Sequence, residues 1–358
     1  MRIFLFVSIF IVIFLFPTSG LATNETFTLS AEHAIVMESE SGKVLYEKDA
    51  NVKKPIASIT KIMTALIAIE HGQLDDLVVI SENAEQIHGS SLYLKKGEEM
   101  TLESLLYGLM LRSGNDASIA IAEHIGGSEE GFVSMMNEKA EKIGMTNTHF
   151  KNPHGLDETD HYSTAYDMAL LMREAIKHEQ FQQISETKKY KPKEKDYPYM
   201  NKNQLLHGMY DASTGGKTGF TKRSGRTLVS TAKKNKMTLI AVTLNAPDDW
   251  KDHMMMFETA FSTYSIFTLM KKGWFTIQNE EEQLHFYVRE DVVYPLQQNE
   301  KDALQMKVIW KKTNEGKKPY AQFYTKEEII QTIPLEEKEN EKETFYIKLK
   351  DWFFRWWK

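Results

Sequence analysis

The sequence predicts a mixed α/β (α+β) fold, with strands at both ends of a main domain, helices between them, and a smaller β-rich domain behind. Three observations carry this. Short alternating apolar runs occur at 32–47 and return at 227–231 and 239–244. Runs with helical spacing fill the interval. Beyond Lys271 the chain shifts to short β-like pieces separated by charged turns.

At 32–47, Ala34-Ile35-Val36-Met37 and Val44-Leu45-Tyr46 flank the turn-like Glu40-Ser41-Gly42, which reads as a hairpin. From Ser58 to His71 the period becomes helical. Ile62, Met63, Leu66 and Ile69 share one face and Gly72 stops the run. A second helix is expected over 102–111 with Thr101 as N-cap. Ser113-Gly114-Asn115 interrupts it, and a third helix over 117–125 is closed by Gly126-Gly127. Helices over 132–143 and 166–177 follow, then a charged stretch at 188–196. The strands at 227–231 and 239–244 join at 233–236, and a helix over 253–267 covers them. In the second domain, 284–288 and 304–310 read as strands.

The two ends differ from this body. Arg2 precedes an apolar run over 3–16, then Pro17-Thr18-Ser19-Gly20-Leu21-Ala22. That is the layout of a secretory leader cleaved after Ala22. The run is shorter than the ~20 residues a membrane-crossing helix needs. The last segment carries Phe345, Leu349, Trp352, Phe353 and Trp356 on one helical face, with Lys348, Lys350, Arg355 and Lys358 against Asp351. It is too short and too charged to span, and suits a helix lying in a membrane interface. The expected division is a leader over 1–22, a catalytic domain over 27–267, a β-rich domain over 271–335, and a charged linker with an amphipathic anchor over 336–358.

Composition excludes several classes. Of 358 residues, 42% are hydrophobic and 26% charged, which is ordinary for a globular chain. The net charge of −6 argues against a nucleic-acid partner. With no cysteine there is no disulfide, thiolate metal site or cysteine nucleophile.

Three short motifs carry chemistry. Ser58-Ile59-Thr60-Lys61 puts a hydroxyl and an amine on one turn at a helix start, where the dipole is positive. A lysine kept neutral by burial and nearby positive charge can take the serine proton. Ser113-Gly114-Asn115 lies on an inter-helix turn, and Lys217-Thr218-Gly219 follows Gly215-Gly216 and leads into a strand. Each alone is weak, since such residues are common at helix starts and glycine turns. Together, in this order, they form the set found in class A β-lactamases and penicillin-binding proteins.

The flanking text Ala57–Thr64, Leu111–Ala117, Asn152-Pro153-His154-Gly155-Leu156 and 162–169 resembles the D-alanyl-D-alanine carboxypeptidases, the low-molecular-mass penicillin-binding proteins. The likeness runs over about 31–267; the second domain and tail match the family layout more loosely. Residues 213–221 and 249–254 resemble most the sporulation-type member of endospore formers.

The resemblance implies a serine β-lactamase/transpeptidase-like fold with an antiparallel sheet flanked by helices. It also implies roles. Ser58 attacks the carbonyl of the D-Ala-D-Ala bond, with Lys61 as base. Ser113 relays the proton to the departing nitrogen, and Asn115 orients Lys61 and the substrate amide. Lys217 lies near the substrate carboxylate and Thr218 hydrogen-bonds it, Gly219 completes this substrate-binding motif, and the N–H groups of Ser58 and Phe220 form the oxyanion hole. Family members often carry an arginine before Lys-Thr-Gly; here Lys202 stands in that stretch and offers a point charge in place of a fork. Lys251 is a second candidate cation. The implied partners are peptidoglycan pentapeptide stems, β-lactams as covalent inhibitors, and a membrane surface through 345–358. No metal or other cofactor is implied.

Three rivals fall behind. A class A β-lactamase needs a Glu-x-x-Leu-Asn string between the second and third motifs, and none occurs. His149, His154, Asp157 and His161 lack the compact spacing of a zinc peptidase. A phosphate loop at Gly216-Lys217-Thr218 needs glycine where Asp211 stands. A non-catalytic peptidoglycan-binding scaffold remains the alternative of a different class, and the retained Ser58 and Lys61 weigh against it.

Overall fold

A computed structural model describes residues 28–278, 283–314, 316–326 and 328–337. The expected leader and the aromatic tail lie outside the described residues.

Five strands form one antiparallel sheet: β1 (His33–Glu38), β2 (Val44–Lys48), β3 (Ser213–Thr221), β4 (Gly225–Lys234) and β5 (Met237–Leu244). Their spatial order is β2-β1-β5-β4-β3, so strands from the two ends of the region meet at the β1–β5 pair. Both faces of the sheet are covered, which is why β1 is buried at every position. Strand alternation sorts the side chains. Ile35, Met37, Ile240 and Val242 enter the larger core with the helices, whereas Ala34, Val36, Leu239 and Ala241 enter a second core against Met256 and Phe257.

The larger core is built by helices α1 (Lys61–His71), α2 (Leu102–Tyr107), α3 (Asn115–Gly126), α4 (Glu129–Lys142) and α5 (Ala165–Ala175). Thr101 caps α2 through a bond from the Ser104 N–H, as expected, and Gly127 ends α3 in the left-handed region at φ 74°. Three expectations are corrected. Helix α6 (Glu179–Glu186) sits next to the charged stretch and was not foreseen. Lys217-Thr218-Gly219 does not enter a strand but lies inside β3, because the strand already begins at Ser213 and runs through Gly215 and Gly216, whose φ values of 142° and 145° are open to glycine. The helix covering those strands, α7 (Asp249–Thr263), starts earlier than 253 and stops before 267. Ser265–Met270 is instead a strand that pairs with Val292–Leu296. Its apolar residues read equally well at either period.

Behind α7 lies a β-rich region with its own small core of Phe286, Val288, Ala321, Phe323 and Leu335. Strands Gly273–Gln278 and Gln283–Val288 form one hairpin, and Leu304–Thr313, Gly316–Thr325 and Glu328–Pro334 form a three-stranded sheet. Lys43, in the β1–β2 turn, joins the two regions. Its Nζ donates to Glu300 at 2.8 Å and to the Pro295 carbonyl at 3.2 Å. Among the described residues no helix is long and apolar enough to cross a membrane.

Three histidines are buried neutral in this framework. His253, wholly buried, meets Ser230 Oγ at 2.6 Å and Thr243 Oγ1 at 3.0 Å, and burial drops its pKa to about 3. Burial likewise takes His154 to about 3 and His161 to about 4. Their unfolded values lie near 6.5. Above that pH neither state holds the proton; below it the unfolded chain gains protons that the native state refuses. Stability is therefore expected to fall from about pH 6.5 downward, by about 1.4 kcal/mol per pH unit for each histidine. Urea midpoints at pH 7.5 and 5.5 check this, and equal midpoints would contradict it.

Candidate active site

Ser58 sits in a single 3-10 turn, Ala57–Thr60, that leads directly into α1. The turn is entered through Ala57 at φ 50°, a left-handed conformation costly for a residue with a Cβ. One turn on, Lys61 is completely buried. Its Nζ lies 3.1 Å from Ser58 Oγ, 2.8 Å from Asn115 Oδ1 and 2.5 Å from the His154 carbonyl. Burial first, then Lys217 and Lys202, hold its pKa well below the ordinary lysine range, while Asp116 opposes them. A neutral amine is thus favoured beside the serine hydroxyl.

Ser113 and Asn115 are brought in by a wide helical turn. After α2 the chain makes a π turn, Gly108–Arg112, and Ser113 donates its N–H back to the Gly108 carbonyl. Ser113 itself is left-handed at φ 66°. This ends the turn abruptly and starts α3 at Asn115, so both side chains are delivered to one place. π turns recur at functional positions because they break the regular ladder.

Lys217, 1% exposed, reaches across from β3 and donates to Ser113 Oγ at 3.1 Å and to the Thr218 carbonyl at 2.8 Å. Burial and then Lys202 lower its pKa to about 7. Lys202 donates to Ser90 Oγ at 3.3 Å, and its own pKa is lowered by desolvation and by Arg112. The sequence-chosen Ser58, Lys61, Ser113, Asn115, Lys217 and Lys202 therefore form one connected group. Lys251 does not join it, since it is exposed on α7, which covers the other face of the sheet.

β3 is the edge strand, and its orientation can be read from one bond. The Gly216 N–H donates to Ser185 Oγ at 2.8 Å, away from β4. Alternation turns the N–H groups of Thr218 and Phe220 the same way. Gly219 lets this edge close on the serine turn, because a Cβ there would lie 3.0 Å from the Ser58 nitrogen and 2.4 Å from Thr227 Oγ1. Thr227 Oγ1 in turn donates to the Ile56 carbonyl at 3.0 Å. Thr218 is half-buried beside this edge, and the Phe220 ring is exposed.

Several supporting groups were not identified from the sequence. The Asn115 side-chain nitrogen donates to the His88 carbonyl at 2.6 Å and its backbone N–H to the Ser90 carbonyl at 2.7 Å. Asp116, buried, accepts from Ser91 Oγ and from the Leu92 and Leu94 N–H groups, pinning the same loop. Most of these contacts use backbone carbonyls or a short loop, which leave no residue-type signature. His161, whose Nδ1 accepts from the Lys151 N–H, bonds Thr60 Oγ1 at 2.9 Å behind the serine turn. Asp157 accepts from Thr221 Oγ1 at 2.9 Å, and His149 meets the Asp160 carbonyl at 2.7 Å. Among the described residues no group of three or more acidic or histidine side chains is placed to hold a metal ion.

A hydroxyl beside a buried amine biased toward neutrality, a second serine beside a second buried amine, and outward N–H donors make a site suited to acyl transfer through serine. Known proteins resemble this chain. The D-alanyl-D-alanine carboxypeptidase DacF of Bacillus subtilis is 41% identical over 254 residues, spanning 68% of this chain and 65% of that protein, just under two thirds of its length. The D-alanyl-D-alanine carboxypeptidase DacD structure from Francisella tularensis aligns with a TM-score of 0.70 at 26% identity, over 88% of this chain and 94% of that one. Penicillin binding protein 5 from Haemophilus influenzae shares the fold, with a TM-score of 0.75 at 23% identity, over 88% of this chain and 98% of that one. The family model for D-alanyl-D-alanine carboxypeptidases matches residues 20–248, the stretch that contains every residue of the site, and the chain belongs to that peptidase family.

Proposed function

We propose that the protein is a serine-type D-Ala-D-Ala carboxypeptidase that removes the terminal D-alanine from peptidoglycan pentapeptide stems and is acylated by β-lactams. The observation that carries this reading is the Lys61 amine, 3.1 Å from Ser58 Oγ and biased toward neutrality first by burial and then by two other lysines. Lys61 takes the Ser58 proton as Oγ bonds to the penultimate D-alanine carbonyl carbon. The resulting oxyanion is held by the N–H groups of Ser58 and Phe220, where one donor is worth about 10²–10³ in rate. The C–N bond then breaks. Ser113 relays the proton taken up by Lys61 to the departing D-alanine nitrogen, which returns Lys61 to its neutral form, while Lys217 and Thr218 hold the substrate carboxylate and Lys202 adds charge nearby. Asn115 keeps Lys61 in place, and water releases the acyl group from Ser58.

The supporting chemistry is direct: an anionic terminus is met by cations, and a developing oxyanion by fixed donors. The setting follows from the sequence. A leader over 1–22 exports the chain, the domain over 27–267 works on the wall, the domain over 271–335 is a spacer, and 345–358 lies on the outer face of the cytoplasmic membrane. The likeness to the sporulation-type member extends the reading to spore-envelope peptidoglycan.

The test is intact-mass spectrometry of the protein lacking residues 1–22 with benzylpenicillin, beside Ser58→Ala, followed by D-alanine release from a pentapeptide. A persistent one-to-one adduct in wild type only, together with D-alanine release, is expected. Rapid penicillin turnover would indicate a β-lactamase, and a folded protein with no adduct would indicate the scaffold.

A further inference from the structure

One end of the β-rich region concentrates positive charge against the usual logic of strand pairing. In the hairpin of Leu304–Thr313 and Gly316–Thr325, Lys311 pairs directly with Lys318 and Lys312 with Lys317. Like charges facing each other across two strands are destabilising. All four residues are exposed. Among the described residues no carboxylate lies within ion-pair distance of Lys311, Lys312 or Lys317. Lys311 instead rests over the Tyr320 ring, its Nζ 5.1 Å from the centroid.

Large aromatics share this end. Trp310, 43% exposed, pairs with Pro319 next to the lysines. Trp274, 59% exposed, lies tilted against Tyr287 with ring centroids 5.2 Å apart, and Tyr287 pairs with Glu336. A groove of about 420 Å³, lined among others by Tyr287, Arg289, Lys318 and Leu335, joins the two sheets here. Among the described residues the acidic groups nearby are Glu290 and Glu336, which line the groove, Glu336 being paired with Arg289, and Glu337. The chain also leaves the described region at this end, since the Leu335 N–H donates to the Pro319 carbonyl at 3.0 Å. Only residues 338–344 separate it from the aromatic and basic segment over 345–358. Seven residues reach about 25 Å at most.

We infer that this lysine–tryptophan end is a docking surface for an anionic lipid bilayer. Lys311, Lys312 and Lys317 gain anionic partners on phosphate headgroups, and half-exposed tryptophans suit the headgroup boundary. A lipid surface is favoured over a wall polyanion because the tryptophans gain from an apolar boundary and a soluble polyanion offers none. The inference rests on the membrane-facing reading above and adds a contact independent of 345–358.

The test uses the protein lacking residues 1–22 in co-sedimentation with phosphatidylcholine vesicles, with and without phosphatidylglycerol. The variant Lys311→Gln/Lys312→Gln/Lys317→Gln is compared with wild type and with Trp352→Ser/Trp356→Ser. At about fivefold per lysine, the triple variant is expected to bind phosphatidylglycerol vesicles on the order of a hundredfold more weakly. Its melting temperature should not fall, since like-charge pairs are relieved, and its acylation by benzylpenicillin should be unchanged. Unchanged vesicle affinity would overturn the inference, as would a destabilised variant. Tighter binding to soluble polyglycerol phosphate than to vesicles would overturn it in favour of a wall polymer. If the tryptophan variant alone loses binding, the tail reading stands and this one falls. If the lysine variant alone loses it, this one stands without the tail.

Discussion

Replacing Lys61 with alanine is expected to slow acylation of Ser58 by benzylpenicillin by about 10²–10⁴-fold, the usual contribution of a positioned base. Burial is the first cause of its lowered pKa, and the surrounding cations Lys217 and Lys202 add to it. The folded protein gains little from holding an ammonium there, so the variant should remain folded; a buried charge is costly to keep. In wild type the acylation rate should rise with pH as Lys61 loses its proton. For substrates carrying a carboxylate, kcat/KM should fall again as Lys217 deprotonates near about 7 in the free enzyme. Stopped-flow acylation across pH checks both limbs. An alanine variant that kept the wild-type rate and its ascending limb would remove Lys61 from the role of base.

Gly155→Ala should be almost as damaging, although Gly155 makes no chemistry. Its φ is +85°, and a Cβ added there would lie 2.0 Å from the Ala57 carbonyl oxygen and 2.8 Å from Thr60 Oγ1. The colliding atoms are backbone of the serine turn, so that turn must move. Overpacking and the left-handed penalty together cost about 2–5 kcal/mol. The preceding carbonyl, that of His154, holds Lys61 Nζ. A displacement of about 1 Å at such a site costs on the order of 10²-fold in rate. Thermal melting and acylation rates should fall together. A variant that lost stability but acylated normally would show that the serine turn does not depend on this contact.

Much of the fold was legible because period survives packing. The helices at α1 and α3 and the strands at β4 and β5 carry apolar spacings that fit only one element type. What escaped was ambiguous locally. Residues 265–270 are apolar at positions compatible with either period, so the end of α7 could not be placed. α6 is short and mostly polar, and Phe181 and Ile184 are its main buried anchors. The site was legible as three motifs, since Ser58, Lys61, Ser113, Asn115 and Lys217 meet one another through their side chains. The carbonyls of His88, Ser90 and His154 act through groups every residue has. Their role depends on where the loop runs, which no residue type encodes.

The pairing of β1 with β5 has a consequence for how the molecule is made. His33 lies opposite Leu244, so the first strand emerges long before its central neighbour exists. Closing so long a loop is entropically costly and slows folding. The early β1–β2 hairpin must wait with an apolar edge uncovered, and Ser58 stays uncoupled from Lys217 until β3 and β4 arrive. The site is therefore incomplete in the nascent chain until the last strand of the sheet is in place. A chain interrupted before Met237 would carry Ser58 and Lys61 without the frame that sets them against Lys217.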